Sequence, residues 1–147
     1  MKLCSACLLG VNCKYNGSNN LNQKAVKLSR KEILVPICPE SIAGLPIPRI
    51  PSEIKKGEGH DVLDGTAAVV SKDGTDLSKL FIEGAYKVLR EAQKKGITEA
   101  ILKQRSPSCG CGQIYDGTFS GKIKNGDGVT TALLKRNGIH VISEDDL

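Results

Sequence analysis

Residues Asp76–Lys103 read DLSKLFIEGAYKVLREAQKKGITEAILK, and this stretch decides the fold. Leu77, Leu80, Phe81, Ala85, Val88, Leu89 and Ala92 recur at three- and four-residue spacing, which gives one apolar face at the helical period. Asp76 supplies a cap and Gly96 an end, so the spacing predicts a helix over 76–95. Ile97–Lys103, ITEAILK, then returns as a strand. Upstream, AAVVS at Ala67–Ser71 reads as a buried strand and KDGTD as the turn that follows it. Strand, helix and strand in that order predict parallel crossover connections, which are right-handed almost without exception.

Working outward, the strand over 97–103 delivers KQRSPSCGCG, Lys103–Gly112. Pro107 blocks regular pairing, while Gly110 and Gly112 permit backbone angles closed to other residues, so Cys109 and Cys111 are expected on a tight loop. Gln113–Ile123 reads as a short hairpin or glycine-rich excursion with Asp116-Gly117 as its turn. Val129–Asn137 is expected to be a helix and Ile139–Ser143 a last strand. His140 within it reads as structural or exposed.

Toward the N-terminus, Leu3–Ser5 is expected to form a short strand carrying the loop CSAC. A helix is expected over Asn22–Lys31 with Asn22 as its cap. Glu32–Cys38, EILVPIC, reads as a buried strand ended by Pro39. Ser41–Gly65 lacks periodicity and holds Pro46, Pro48 and Pro51, which argues for an extended wall or lid over the preceding loop. His60 and Asp61 within it read as surface residues. The whole is expected to be a single α/β domain over 1–147, Rossmann-like, with a mainly parallel sheet flanked by helices.

A chain of 147 residues buries enough surface to fold without disulfides, yet it holds six cysteines. They fall in groups rather than as dispersed staples. The N-terminus is too weakly apolar for a signal peptide and no segment reaches membrane-spanning length, which points to a reducing cytoplasm with thiols or metal ligands. A formal charge of +5 is spread without a dense basic block, so a mildly basic solvated surface is expected and no dedicated nucleic-acid surface.

In open parallel sheets ligands bind beyond the carboxyl ends of the strands. The strands near 3–5, 33–37 and 98–102 lead to Cys7, Cys38 and Cys109, so distant thiols could converge on one edge. Three thiolates suit a soft centre, zinc or an iron–sulfur cluster, with a fourth position left open to substrate. Spacing alone leaves other readings open: a redox dithiol at Cys4 and Cys7, a four-thiolate site of Cys4, Cys7, Cys109 and Cys111, or structural thiols throughout. Beside such a centre, Glu40 could move a proton or orient water and Ser106 could act in a relay, with Ser108 a loop cap. Lys14, Lys103 and Arg105 could hold an anion or a polar heterocycle.

Five blocks, CSACLLGVNCKYNG, VPICPE with GLPIPR, ILKQRSPSCG, IYDGTF and GDGVTTALLKRNGIHVISE, occur in one order along nearly the whole chain. In these the sequence resembles the family of short bacterial and archaeal proteins that includes the 2-thiouracil desulfidases. The resemblance implies a [4Fe-4S] cluster held by Cys7, Cys38 and Cys109, with Glu40 as acid–base residue and Ser106 as assisting hydroxyl. It implies non-redox replacement of sulfur by oxygen on a small thiolated nucleobase, with release of sulfide and with cluster-assembly proteins as partners. Cys4, Cys13 and Cys111 fall outside the implied ligands. Lys14 and Asn16 stand where a common family pattern has Arg and Asp, which keeps a charge but loses a planar fork and a carboxylate. A metal-binding sulfur carrier or a thiol redox protein is the alternative reading.

Overall fold

The computed structural model describes residues Met1–Leu147. In chain order the elements are β1 (Lys2–Ser5), α1 (Gln23–Ser29), β2 (Leu34–Ile37), α2 (Pro39–Ile42), β3 (Ser52–Lys55), α3 (Gly59–Leu63), β4 (Ala68–Ser71), α4 (Ser78–Lys94), β5 (Glu99–Leu102), β6 (Gln113–Tyr115), β7 (Ile123–Asn125), α5 (Val129–Arg136) and β8 (His140–Ser143). Single 3-10 turns follow β1 at Ala6–Leu9 and β8 at Glu144–Asp146.

The main sheet has the order β2-β1-β5-β8, and every pairing in it is parallel, with Lys2 opposite Leu34, Leu3 opposite Ala100 and Glu99 opposite His140. The period-two alternation of strands sorts its side chains onto two faces. Leu3, Ile37, Ala100, Leu102 and Val141 pack with Phe81, Ala85, Val88 and Leu89 of α4 and with Leu133 and Leu134 of α5. Cys4 and Ile101 face the other way, onto Ala6, Leu8 and Ala25 of α1. Burial of both faces explains the near-continuous apolar strands. The result is a Rossmann-like α/β domain with helices on both faces of a parallel sheet. No helix is long and apolar enough to cross a membrane.

Helix α4 buries Phe81, Gly84, Ala85, Val88, Leu89 and Ala92, the stripe its spacing predicts. It starts at Ser78 because Asp76 Oδ1 accepts from the Ser78 amide at 2.8 Å, and Gly96, at φ 64°, ends it. Gly84 is a contact glycine, since a Cβ there would sit 2.5 Å from Pro39 O. This close crossing fixes α2, and with it Cys38 and Glu40, against the core. Asn22 caps α1 through Oδ1, which accepts from Lys24 N and Ala25 N at 3.0 Å each.

Several expectations require correction. The strand at Glu32–Cys38 is an edge strand rather than a buried one: Pro36 is exposed and Ile33, just before it, is 64% exposed. An edge position also explains why Pro36, with no amide to donate, is tolerated. Ser41–Gly65 is more regular than its sequence suggests, because it holds the end of α2, then β3 and α3. Ala68–Ser71 stays outside the main sheet and pairs antiparallel with β3, Glu53 opposite Val70. The hairpin expected after Cys111 does form, as the ribbon of β6 and β7 with Ile114 opposite Lys124.

Candidate functional site

The carboxyl ends of β1, β2 and β5 open onto one cavity of about 380 Å³, lined among others by Cys7, Cys13, Cys38, Cys109, Glu40 and Ser106. Cys7 lies in the 3-10 turn after β1, Cys38 stands at the start of α2, and Cys109 sits on the loop after β5. The two remaining cysteines point elsewhere. Cys4 is buried on the α1 face of the sheet, and the Cys111 thiol is hydrogen-bonded to Val141 O at 3.4 Å. A site of Cys4, Cys7, Cys109 and Cys111 is therefore not assembled, whereas Cys13, set aside on sequence grounds, does line the cavity.

The Cys109 loop is held by hydrogen bonds to its backbone, besides the packing of Cys109 in the core. Ser106 Oγ accepts from the Cys109 amide at 2.7 Å, and Gln104 clamps Cys111 by accepting from its amide and donating to its carbonyl, both at 2.7 Å. The first amides of α5 are spent on this loop: Gly128 N donates to Gly110 O at 2.8 Å, Val129 N to Pro107 O at 2.8 Å and Thr130 N to Ser108 O at 2.9 Å. Helix starts leave such donors free, so loop and helix satisfy one another. The contact is so close that a Cβ on Gly128 would lie 2.4 Å from the Ser108 carbonyl carbon.

Each cavity sulfur has its own polar neighbours. The Cys13 thiol lies beside Cys7 and Cys38, and its single proton, shared between them, lowers the pKa of each and raises its own. Asn20 and Lys103 further favour the Cys7 thiolate. The Ser41 hydroxyl, buried and without an oxygen or nitrogen partner, acts with the Ser41 amide to favour the Cys38 thiolate. Burial pushes the Cys109 thiol up to about 12, against the effect of the Ser5 and Ser108 hydroxyls. Two sulfurs are thus ready as anions, and the third needs a cation before it yields its proton.

The spacing of these sulfurs bears on what they could hold. The one set of three or more His, Cys, Asp or Glu ligand atoms lying within 4.8 Å of one another is Glu58, His60 and Asp127, so no three thiols close up that far. A single tetrahedral ion with metal–sulfur bonds of about 2.3 Å would draw its sulfurs to roughly 3.8 Å. Cys7, Cys38 and Cys109 do not all lie within 4.8 Å of one another, which suits a polynuclear iron–sulfur cluster better than a single ion, and thiolates are its usual ligands. The donor set fits such a group. Glu58, His60 and Asp127 have the composition and spacing of a metal-binding site of their own. Here the Lys135 ammonium lies 3.0 Å from Asp127 Oδ2, and Glu58 accepts from the His60 and Asp127 amides.

Glu40 is one of two carboxylates that line the cavity. Arg49 Nε donates to its Oε1 at 3.1 Å and the Ser108 hydroxyl to its Oε2 at 2.9 Å, while burial raises its pKa against both. Arg49 is nearly buried and also donates to Cys13 O at 2.9 Å, so it ties the carboxylate to the cysteine segment. Ser106 lies one hydroxyl further out, with Oγ 3.3 Å from Ser108 Oγ. Of the basic residues expected here, Lys14 lines the cavity with its ammonium 5.7 Å from the Tyr15 ring centroid. Lys103 also lines it but is paired with Glu144 at 3.0 Å, and Arg105 is turned to Asp145 at 3.3 Å. Asn16 turns its side chain onto Ser18 N at 3.1 Å and makes a loop bond.

Sequence reasoning missed Arg49, Ser108, Cys13, Glu53 and Phe119, all of which line the cavity. The proline run before Arg49 was a usable signal, because fixed backbone angles hold an attached side chain in place. Comparison with known proteins agrees with this geometry. A family profile described as 2-thiouracil desulfurase matches residues 3–146. A protein of Bacillus subtilis (strain 168), described as uncharacterized protein YbbK, is 50% identical over 147 residues, spanning 100% of this chain and 97% of that one. A solved [4Fe-4S]-dependent thiouracil desulfidase, TudS, has 40% identity and a TM-score of 0.85 over 99% of this chain and 91% of its own.

Proposed function

The chain belongs to the 2-thiouracil desulfurase family, and from that premise we propose an iron–sulfur-dependent desulfidase in which Cys7, Cys38 and Cys109 hold a [4Fe-4S] cluster. Its substrates are thiouracil-type bases, and Glu40 and Ser106 carry the proton chemistry. The observation that carries the assignment is the convergence of these three thiols with a half-buried carboxylate on one cavity at the carboxyl edge of the sheet. Held by these three cysteines, such a cluster would supply Lewis acidity and a soft acceptor for sulfur, with no net oxidation.

The protein's part is to place water and move protons. Burial raises the Glu40 pKa, which brings a carboxylate toward the range where a general base both holds and releases a proton at neutral pH. Glu40 takes a proton from the water that attacks the thiocarbonyl carbon, with Arg49 and Ser108 fixing the orientation of its two oxygens. Ser108 and Ser106 continue that line as a short hydroxyl relay. The carbon–oxygen bond forms, the carbon–sulfur bond breaks, and sulfide leaves with the protons taken from water. The balance needs no oxidant or reductant. We read residues 1–147 as one catalytic domain. Six unpaired cysteines support a reducing cytoplasm as its compartment, with cluster-assembly proteins as its partners.

Anaerobically purified protein should show iron–sulfur absorbance, contain iron and sulfide in equal amounts, and release uracil from 2-thiouracil. Single Cys7→Ser, Cys38→Ser and Cys109→Ser changes should each abolish stable cluster binding, whereas Cys111→Ser should be mild. A colourless, iron-free protein after reconstitution would sink the cluster assignment, and equal loss from Cys111→Ser would overturn the choice of ligands.

A further inference from the structure

One wall of the cavity carries a buried charge that the chemistry above does not use. Glu53 on β3 lines the cavity, is only 8% exposed, and has no cationic partner within ion-pair distance. Its Oε1 accepts from two amides, Gly117 N at 2.9 Å and Phe119 N at 3.1 Å. Its Oε2 takes no hydrogen bond from the protein. A carboxylate has lone pairs on both oxygens, and the sealed polar atoms without a partner are Ser41 Oγ and Thr130 Oγ1, so Oε2 keeps an opening through which a donor can reach it. A ligand in the cavity would bring that donor.

The segment that Glu53 holds is itself forced. Phe119 has φ 55°, a left-handed conformation that bulky side chains rarely adopt. Gly117, at φ 93°, packs so closely that a Cβ would lie 2.7 Å from Ile54 O, which fixes the turn against β3. The strain is sustained by the two amide bonds to Glu53, and its outcome is an aromatic ring on the cavity wall. The chain has two phenylalanines; Phe81 is in the core, and Phe119 is the one placed here. The Lys55 ammonium lies 5.9 Å from the Phe119 ring centroid.

We propose that Glu53 and Phe119 form the corner of the site that recognises the base. The free Oε2 accepts a ring N–H of the pyrimidine, and the Phe119 ring packs on the face of the heterocycle. This deepens the function proposed above and rests on it for the class of ligand. Glu53 therefore has two tasks, reading the ligand with one oxygen and positioning Phe119 with the other. A thiolated pyrimidine carries N–H donors beside its thiocarbonyl carbon. The corner therefore selects rings that keep the N–H and rejects those alkylated at it.

The test uses reconstituted holoenzyme and two probes, turnover of 2-thiouracil and equilibrium binding of uracil, with the absorbance spectrum as a check on the cluster. Glu53→Gln keeps an oxygen for the two amides but puts an amino group where the ligand needs an acceptor. It should raise KM and weaken uracil binding by on the order of tenfold, with kcat within a few-fold and the spectrum unchanged. Phe119→Leu should raise KM by a similar factor, since it removes the aromatic face on which the base stacks, while Phe119→Tyr should restore it. One of the two N-methylated 2-thiouracils should be a poor substrate for wild type and lose nothing further in Glu53→Gln. Unchanged KM and uracil affinity in both variants would overturn the proposal. So would a fall in kcat or in cluster content with affinity intact, because the pair would then only support the fold. If wild type holds its cluster and fails to turn over 2-thiouracil, the proposed function falls, and the uracil-binding arm still decides the corner.

Discussion

At the scale of single residues, the thiols of this chain differ because their surroundings differ. Cys38 and Cys7 are drawn toward the thiolate by the Cys13 thiol, whereas Cys4, sealed between sheet and α1, has its pKa pushed by burial from 9.0 to about 12. A pKa raised on folding contributes stability that is whole below the unfolded value and is lost as pH climbs through the folded one. In cluster-free protein, folding stability should therefore fall from about pH 9 toward pH 12, by up to about 1.4 kcal/mol per pH unit for each such thiol. Cys109 shares the same shift. Cys4→Ala should make that alkaline decline shallower, as read from urea midpoints across the range. Parallel curves for the two proteins would remove Cys4 from the account. None of this was visible in spacing, since Cys4 and Cys7 look alike in the string CSAC and are separated only by the pleat of β1 and the turn that follows it.

At the scale of elements, the site depends on backbone set directly against backbone. A Cβ on Gly59 would lie 2.3 Å from Gly128 O, and one on Gly128 would meet the Ser108 carbonyl, so α3, α5 and the Cys109 loop form one stack with no side chains between them. Gly128 has an ordinary backbone angle, φ −68°, so the demand is for space and not for torsional freedom. Gly128→Ala should accordingly cost about 3 kcal/mol, the upper range for overpacking, and lower cluster content together with stability. Denaturation and iron analysis of the same preparation check both; full cluster loading at wild-type stability would show that the stack yields. The legible elements were those with a period. The α4 stripe and the Asn22 cap could be read directly, because burial on one helix face and a free amide each impose a residue type. Strand β3 could not, because Glu53 is a buried charge whose partners, Gly117 and Phe119, lie more than sixty residues away and leave no local pattern. Helix α3, five residues long, is too short to show a period.

At the scale of the whole molecule, one core joins parts that the sheet diagram separates. The cluster around Leu3, Leu102, Val88 and Leu134 also takes in Ile54 of β3, Ile114 of β6 and Cys109, so the two antiparallel ribbons are buried against the parallel sheet. Leu102, fully buried on the strand that leads to the site, is the residue to test it. Leu102→Ala should cost about 2–5 kcal/mol. The loss should appear at the same denaturant concentration by far-UV circular dichroism and by tyrosine fluorescence in a Tyr15→Phe, Tyr86→Phe background, where Tyr115 alone of the three Tyr reports on the ribbon and the chain has no Trp. Two separated transitions would make the ribbons an independent unit. The convergence of Cys7, Cys38 and Cys109 was expected from the rule that parallel sheets bind beyond their carboxyl ends. The Cys13 and Arg49 contributions were not, because they arise where loops meet and loops carry no period.

The cap that α5 places on the Cys109 loop also sets an order in time. Chains emerge from the ribosome N-terminus first, so Cys7 and Cys38 are exposed to the cell while the segment that anchors the third thiol is still unmade. The loop acquires its fixed shape only when the amides of Gly128, Val129 and Thr130 have been synthesised and folded onto it. On the function proposed above, loading of the cluster would wait for the finished polypeptide, and a chain truncated before residue 128 would carry Cys7, Cys38 and Cys109 without the cap that fixes the Cys109 loop.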